Sequence, residues 1–552
     1  MGKSTRFRLD FWTVVTIAVF IVFAFFLAYP LFSLFAGGFR DPDTQQFTLN
    51  NFIRFFTKKY YLRALGHSFL VTTCTTLLAV AVGAPLAYIT TVYKTKGTSF
   101  INVLIIISML SPPFIGAYSW ILLGGRSGII TKLMESLFSI KMPSIYGFGG
   151  ILLVLALKLY PFIYLYTKGA LQKVDSSLLE AAESLGCSGT KKVFTVIFPL
   201  ITPTILAGSL LVFMNALADF GTPMLIGEGY TVMPVLIYSE FISETGGQAN
   251  FAAALAVIMV IITGLMFWAQ KTIVNKKSFT MSSLHPIRSK ELKGAKNVLM
   301  HILIYFVTFL AIIPQITVIF TSFKATKGAI FTQGFSLESY RKIFSSLGKT
   351  ITNTYLFGLI AIAVIVLLAL FIAYITTRKR TWLTNVIDSL TIFPYIIPGS
   401  VLGITLLLTF NKRPFLLSGM AAIIIIAFVI RRLPYTLRSS SAILYQISPS
   451  LEEAAVSLGD SAPKAFFKVT SQLMLPGVFS GAILSWITII NELSASVILY
   501  TGETRTMSVS IYTEVIRASY GTAAAMASIL TLTTILSLLI FFRLSGKKDV
   551  SI

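Results

Sequence analysis

Twelve runs of apolar residues punctuate the chain, at about 11–36, 68–93, 99–123, 148–170, 200–225 and 251–273, and again at about 298–322, 353–377, 383–410, 417–440, 477–499 and 522–543. Each is near or above the roughly 20 residues that a helix needs to cross the hydrocarbon of a bilayer. A spanning segment must satisfy its own backbone hydrogen bonds, and a lone apolar run does so only as a helix. The pattern therefore predicts an all-α membrane protein with twelve transmembrane helices. The first run follows the basic stretch MGKSTRFR, continues for some 26 residues and has no A-x-A-like cleavage site before Pro30. It is expected to stay in the mature protein rather than leave as a signal peptide.

The two sets of six runs are copies of one another. Leu178 to Gly186 reads LLEAAESLG and Leu451 to Gly459 reads LEEAAVSLG, identical at seven of nine positions with an offset of 273. The same offset pairs Pro161 with Pro434, Lys158 with Arg431, Pro203 with Pro476, Gly208 with Gly481 and Asp219 with Glu492. Upstream, AYITT recurs from Ala87 and from Ala373 at offset 286; downstream, MPVLIYSE from Met233 matches MSVSIYTE from Met507 at offset 274. A duplicated six-helix unit follows, with a first half at 1–273, a basic linker at 274–297 and a second half at 298–552. Six is even, so both halves enter the membrane from the same side, and their pseudo-twofold axis is expected along the membrane normal.

Composition removes the main alternative classes. With 55% of residues apolar and only 12% charged, at a mean hydropathy of +0.82, the chain cannot be an ordinary soluble protein, and its lateral partner is membrane lipid. The formal charge of +24 would suggest nucleic acid in a soluble chain. Here the basic residues sit between apolar runs and report topology instead. Their excess falls on the segments that are cytoplasmic if the N-terminus is inside, above all Arg378, Lys379 and Arg380 and the linker from Lys271 to Lys296. This predicts N-in and C-in.

No cofactor or metal chemistry is expected. Cys74 and Cys187 form no C-x-x-C pair, and His67, His285 and His301 lie far apart with no partner ligand at metal spacing. Gly2, Lys3 and Ser4 imitate only the end of a G-x-x-x-x-G-K-[ST] phosphate loop. If ATP is used, another polypeptide must bind it, and the chain is expected to be a transport subunit and no enzyme.

Each E-A-A segment lies between a fourth and a fifth span. Small alanines permit close approach of a partner, the glutamate offers charge near a helix start, and the glycine can end the helix in a left-handed conformation. Two copies at matched depth favour a symmetric partner over a surface helix that merely closes the bundle.

These residues resemble the membrane subunits, or permeases, of bacterial ATP-binding-cassette importers, whose signature is E-A-A, three residues, then G. Glu180, Ala181, Ala182 and Gly186 match it in the first half, and Glu453, Ala454, Ala455 and Gly459 in the second. VIFP at 196–199 fits the downstream pattern, whereas VTSQ at 469–472 puts Gln472 at the proline position, a departure local to the bend. The fused layout, with LADFGTPMLIG at 217–227 and NELSASVILYTG at 491–502, looks most like the ferric-iron importer permeases. Related permeases serve thiamine, phosphonates and sugar phosphates. The resemblance implies that each loop is a coupling helix seated on a cytoplasmic ATPase dimer, and that an extracytoplasmic binding protein delivers the solute.

Four ionisable residues fall within or beside spans, where charge is costly and functional by default. Lys158 and Arg431 are equivalent, as are Asp219 and Glu492. They either line the solute path or pair between helices. On substrate sign the two sets oppose each other, the cations suiting an anionic or chelated solute and the carboxylates a cation. Twelve helices in parallel halves would equally suit an ion-gradient-driven transporter. The E-A-A loops discriminate, because such a carrier has no ATPase to dock. A membrane enzyme is disfavoured by the lack of clustered His, Asp or Cys.

Overall fold

A computed structural model describes residues 10–545 apart from 43, 111–112, 244–248, 277–286, 288 and 329. The basic stretch before the first run, Gly2 to Ser4 within it, His285 and ten other residues of the 24-residue linker lie outside the described residues.

Every apolar run is helical, but the runs differ in kind. Nine helices among the described residues are long and apolar enough to cross a membrane, from Phe11–Gly38 to Tyr520–Phe541. A tenth results if Thr98–Met109 and Phe114–Phe138, set at 99° to each other, are one broken span. Two runs fall short of the predicted twelve for physical reasons. The run at 383–410 breaks into Trp382–Leu390, Phe393–Ile396 and Gly399–Thr409. Pro394 and Pro398 explain this, since proline lacks the N–H and keeps its predecessor out of the helical region. The run at 417–440 forms the helix Ala421–Gln446, which carries Arg431, Arg432 and Arg438. The sixth helix, Ala249–Lys276, overruns its predicted end by three residues. A two-stranded hairpin, Lys324–Lys327 with Ile330–Phe335, follows the seventh run.

Both fifth helices open with a π-helical turn, at Val193–Ile197 and Phe466–Thr470. The turns fall at the same place in the repeat, so this feature does not need the proline that Gln472 replaces.

Glycines set the closest helix crossings. A Cβ on Gly83 would stand 2.7 Å from the Tyr160 carbonyl oxygen, and one on Gly481 would stand 2.6 Å from Thr436 Cα. Backbones approach this closely only where no side chain intervenes. At Gly208, the repeat partner of Gly481, the nearest atom would be Tyr166 Cβ at 3.3 Å. Gly481→Ala is therefore expected to cost roughly 1–3 kcal/mol by overpacking, and Gly208→Ala much less, because better helix propensity offsets a mild contact. Thermal unfolding of the purified variants checks the difference; equal shifts would refute it.

The first helix of each half packs on the other half. Trp12, Phe23, Leu27 and Leu34 share one core with Ile365, Ile372, Tyr374 and Phe466, and the rings of Trp12 and Tyr374 lie 4.1 Å apart. Reciprocally, Met300, Ile304 and Ala311 complete a core with Ile105, Val154 and Tyr160. The two sequence copies are thus not separate packing units.

Candidate functional site

The E-A-A residues lie on two short helices, Ser176–Ser184 and Ser450–Ser457. The Asp175 carboxylate caps the first by accepting from the Ser177 N–H at 2.9 Å. Its counterpart begins at Pro449, with Ser448 Oγ accepting from the Ser450 N–H at 3.3 Å. Both end alike. Gly186 has φ of 80° and Gly459 of 98°, while the Cys187 N–H reaches the Ala182 carbonyl at 2.9 Å and the Asp460 N–H the Ala455 carbonyl at 3.1 Å. That is the left-handed Schellman ending, which satisfies carbonyls a helix end otherwise leaves open.

Glu180, Ala181, Glu453 and Ala454 are exposed, and Ala182 and Ala455 half-buried. Next to each glycine stands a leucine that sequence reasoning passed over: Leu185 is 88% exposed and Leu458 90%. The repeat itself carried that signal, since both belong to the shared S-L-G. The two loops therefore present the same profile, a carboxylate, small residues and an apolar knob.

Their surroundings differ. Glu183 forms an ion pair with Lys192, and Lys290 stands 3.9 Å from it. The hydrogen bond from Lys192, aided by both positive charges, holds the Glu183 carboxyl below the ordinary range. Lys290 belongs to the linker, which is tied down by its N–H to the Val92 carbonyl at 2.8 Å and by the Lys94 N–H to the Lys290 carbonyl at 3.0 Å. In the second half Val456 replaces Glu183. Glu452 instead accepts from the hydroxyls of Tyr374 and Thr470, and Lys464 and Lys468 hold the Asp460 carboxyl down.

The four intramembrane charges are paired within each half. Lys158 Nζ lies 2.5 Å from Asp219 Oδ2, and Arg431 pairs with Glu492, which also receives Arg432. Lys158 stands about 20 Å from the E-A-A end of its helix at 1.5 Å per residue, well inside the span. Each carboxylate has a second duty. Asp219 Oδ1 accepts from the Thr222 N–H at 2.9 Å and Glu492 Oε1 from the Ala495 N–H at 3.1 Å, so each caps the short segment after its fifth helix breaks.

Between these pairs the halves meet through apolar side chains. Phe220 and Leu493, repeat equivalents, share a core with Phe114 and Val497. A Cβ on Gly221 would lie 3.5 Å from Leu493 of the other half. The structure thus brings the four predicted charges together as two ion pairs flanking an apolar layer, and keeps them apart from the E-A-A loops. Arg432 was missed because its repeat partner is Leu159. Among the described residues, no group of three or more His, Cys, Asp or Glu could hold a metal ion.

A family model described as binding-protein-dependent transport system inner membrane component matches twice, at residues 79–278 and 365–548. The ferric transport system permease protein FbpB of Actinobacillus pleuropneumoniae is 28% identical over 538 residues, covering 95% of this chain and 77% of that one. The probable ABC transporter permease protein y4fN of Sinorhizobium fredii is 25% identical over 98% of this chain and 96% of its own. The spermidine/putrescine transport system permease protein PotB of Haemophilus influenzae, at 27% identity, covers 47% of this chain but 95% of itself, as expected of a half-length relative. Membership of this family implies an ATPase and a solute-binding protein as partners. With the family matched over most of its length and in both copies, the chain belongs to the inner-membrane components of binding-protein-dependent transport systems and is a multi-pass permease subunit of an ATP-binding-cassette importer.

Proposed function

We propose that this permease moves ferric iron inward, with both termini and both E-A-A loops in the cytoplasm. In this reading Glu180, Ala181, Ala182 and Gly186, and their counterparts Glu453, Ala454, Ala455 and Gly459, seat on the two subunits of an ATPase dimer. ATP-driven closure of the dimer moves the two loop helices and rocks the halves between inward and outward access. A binding protein delivers the cation from the opposite face. The observation that carries the coupling role is the shared Schellman ending with an exposed leucine beside it in both copies. The bias of Lys and Arg supports the orientation.

Ferric iron is favoured by the ferric permease that aligns over 95% of this chain. The charges themselves do not decide the solute: Lys158 is paired with Asp219, while Arg431 and Arg432 share Glu492 and leave one net positive charge. The pairs act as braces for the broken fifth helices beside the path.

Proteoliposomes holding the permease, its ATPase and its binding protein are expected to take up radiolabelled ferric iron only when ATP and all three proteins are present. The permease alone should hydrolyse no ATP. Uptake of thiamine or phosphonate in place of iron would redirect the substrate assignment.

A further inference from the structure

Each E-A-A helix is seated on its half through the same repeat positions, and the chemistry at those positions differs. In the first half they are Leu179 on the loop helix itself, Ile197 in the π-helical turn of the fifth helix and Tyr88 near the end of the helix Lys59–Val92. Leu179 and Ile197 share an apolar core with Ala170, Leu171 and Val174, and Tyr88 packs against it. In the second half the same positions hold Glu452, Thr470 and Tyr374. Both hydroxyls donate to the half-buried Glu452 carboxylate, Thr470 Oγ1 to Oε2 at 2.9 Å and the Tyr374 phenol to Oε1. Aromatic rings close this polar joint from the membrane side. Phe466 lies 4.7 Å from the Tyr374 ring, and Trp12, from the first helix of the other half, lies 4.1 Å from it.

We infer that Glu452 is the positioning residue of the second loop helix, and that the two loops pass on the ATPase stroke unequally. This rests on the coupling reading of the loops and deepens it. Apolar contact is non-directional, so Leu179 holds the first loop against its half without fixing its rotation or its register. A carboxylate that accepts two hydroxyls is bound by short, directional, charge-assisted bonds and fixes both. Through Thr470 the second loop is locked to the fifth helix, and through Tyr374 to the helix Gly348–Arg378. The fifth helix then runs from Ser471 to Ile490, two residues before the Glu492 cap beside the apolar layer between the halves. A displacement of the second loop therefore reaches that layer along one rigid element, while the Trp12 contact hands it to the first half. The first loop follows on a seat that can slide.

The test uses the purified permease–ATPase complex in nanodiscs and reads how strongly the binding protein stimulates ATP hydrolysis. Glu452→Leu installs the residue that the first half carries at this position. It is expected to lower the stimulation at least about fivefold, the lower end of a typical coupling between two sites. The variant should still co-purify with the ATPase, because the outward residues Glu453, Ala454 and Leu458 are untouched. Glu452→Gln should restore most of the stimulation, since its amide can accept from Tyr374 and donate to Thr470. Leu179→Ala should lose clearly less than Glu452→Leu. Unchanged stimulation in Glu452→Leu, with or without a lower thermal midpoint, overturns the inference, as does an equal loss in Leu179→Ala. The Gly186→Val, Gly459→Val variant, which breaks the shared helix ending, separates the two failures. If it uncouples while Glu452→Leu does not, the positioning role falls and the coupling reading stands; if neither uncouples, the coupling reading falls with it.

Discussion

Lys158→Gln is expected to destabilise the folded permease by about 3–5 kcal/mol, the cost of stranding one member of a buried ion pair. Its abandoned partner Asp219 has a side chain only 4% exposed and would keep the Thr222 N–H alone. The equivalent Arg431→Gln should cost clearly less, because Glu492 retains Arg432. Removing both members of the first pair, as Lys158→Met with Asp219→Leu, should recover most of the loss, since a well-packed apolar replacement leaves no buried charge. A residue of about 1 kcal/mol remains for the lost cap. Denaturant or thermal unfolding in one detergent, read beside iron uptake, settles the matter. Unchanged stability with abolished uptake for Lys158→Gln would mean that the charge meets the solute rather than braces the helix.

Uptake should fall at least about tenfold in the Gly186→Val, Gly459→Val double variant. The left-handed region costs an ordinary residue roughly 1–2 kcal/mol, and a β-branched one more, so each loop helix would end differently and carry its leucine elsewhere. Membrane insertion should be normal, as the change lies outside the spans. The Glu180→Arg, Glu453→Arg variant should leave the fold equally intact and weaken co-purification of the ATPase. Full coupling of uptake to ATP hydrolysis in both double variants would count decisively against the coupling role of these loops.

Periodicity and self-similarity made the broad plan readable, and the misses share a cause. Counting apolar residues registers 383–410 as one span, but a count does not weigh what Pro394 and Pro398 do to the backbone. It also ignores that Ala421–Gln446 carries three arginines. Aligning the copies located Lys158 with Arg431 and Asp219 with Glu492, yet an alignment relates positions between halves and not partners within one. The sequence could therefore offer ion pairing only as one of two alternatives, and the partners came with the fold. The same filter hid Arg432, whose counterpart Leu159 is apolar. No local pattern announces that Trp12 will pack on Tyr374, since that contact joins residues far apart in the chain.

That exchange of first helices bears on how the protein is made. Trp12, Phe23 and Leu34 reach the bilayer early in synthesis, but the residues that cover them, from Ile365 to Phe466, are translated several hundred positions later. At about 5–20 residues per second, the leading helix waits on the order of half a minute or more among lipids before its seat exists. The face of Phe11–Phe23 must therefore be apolar enough to rest in hydrocarbon until then, while Tyr29–Gly38 docks earlier on Ala249–Lys276 of its own half.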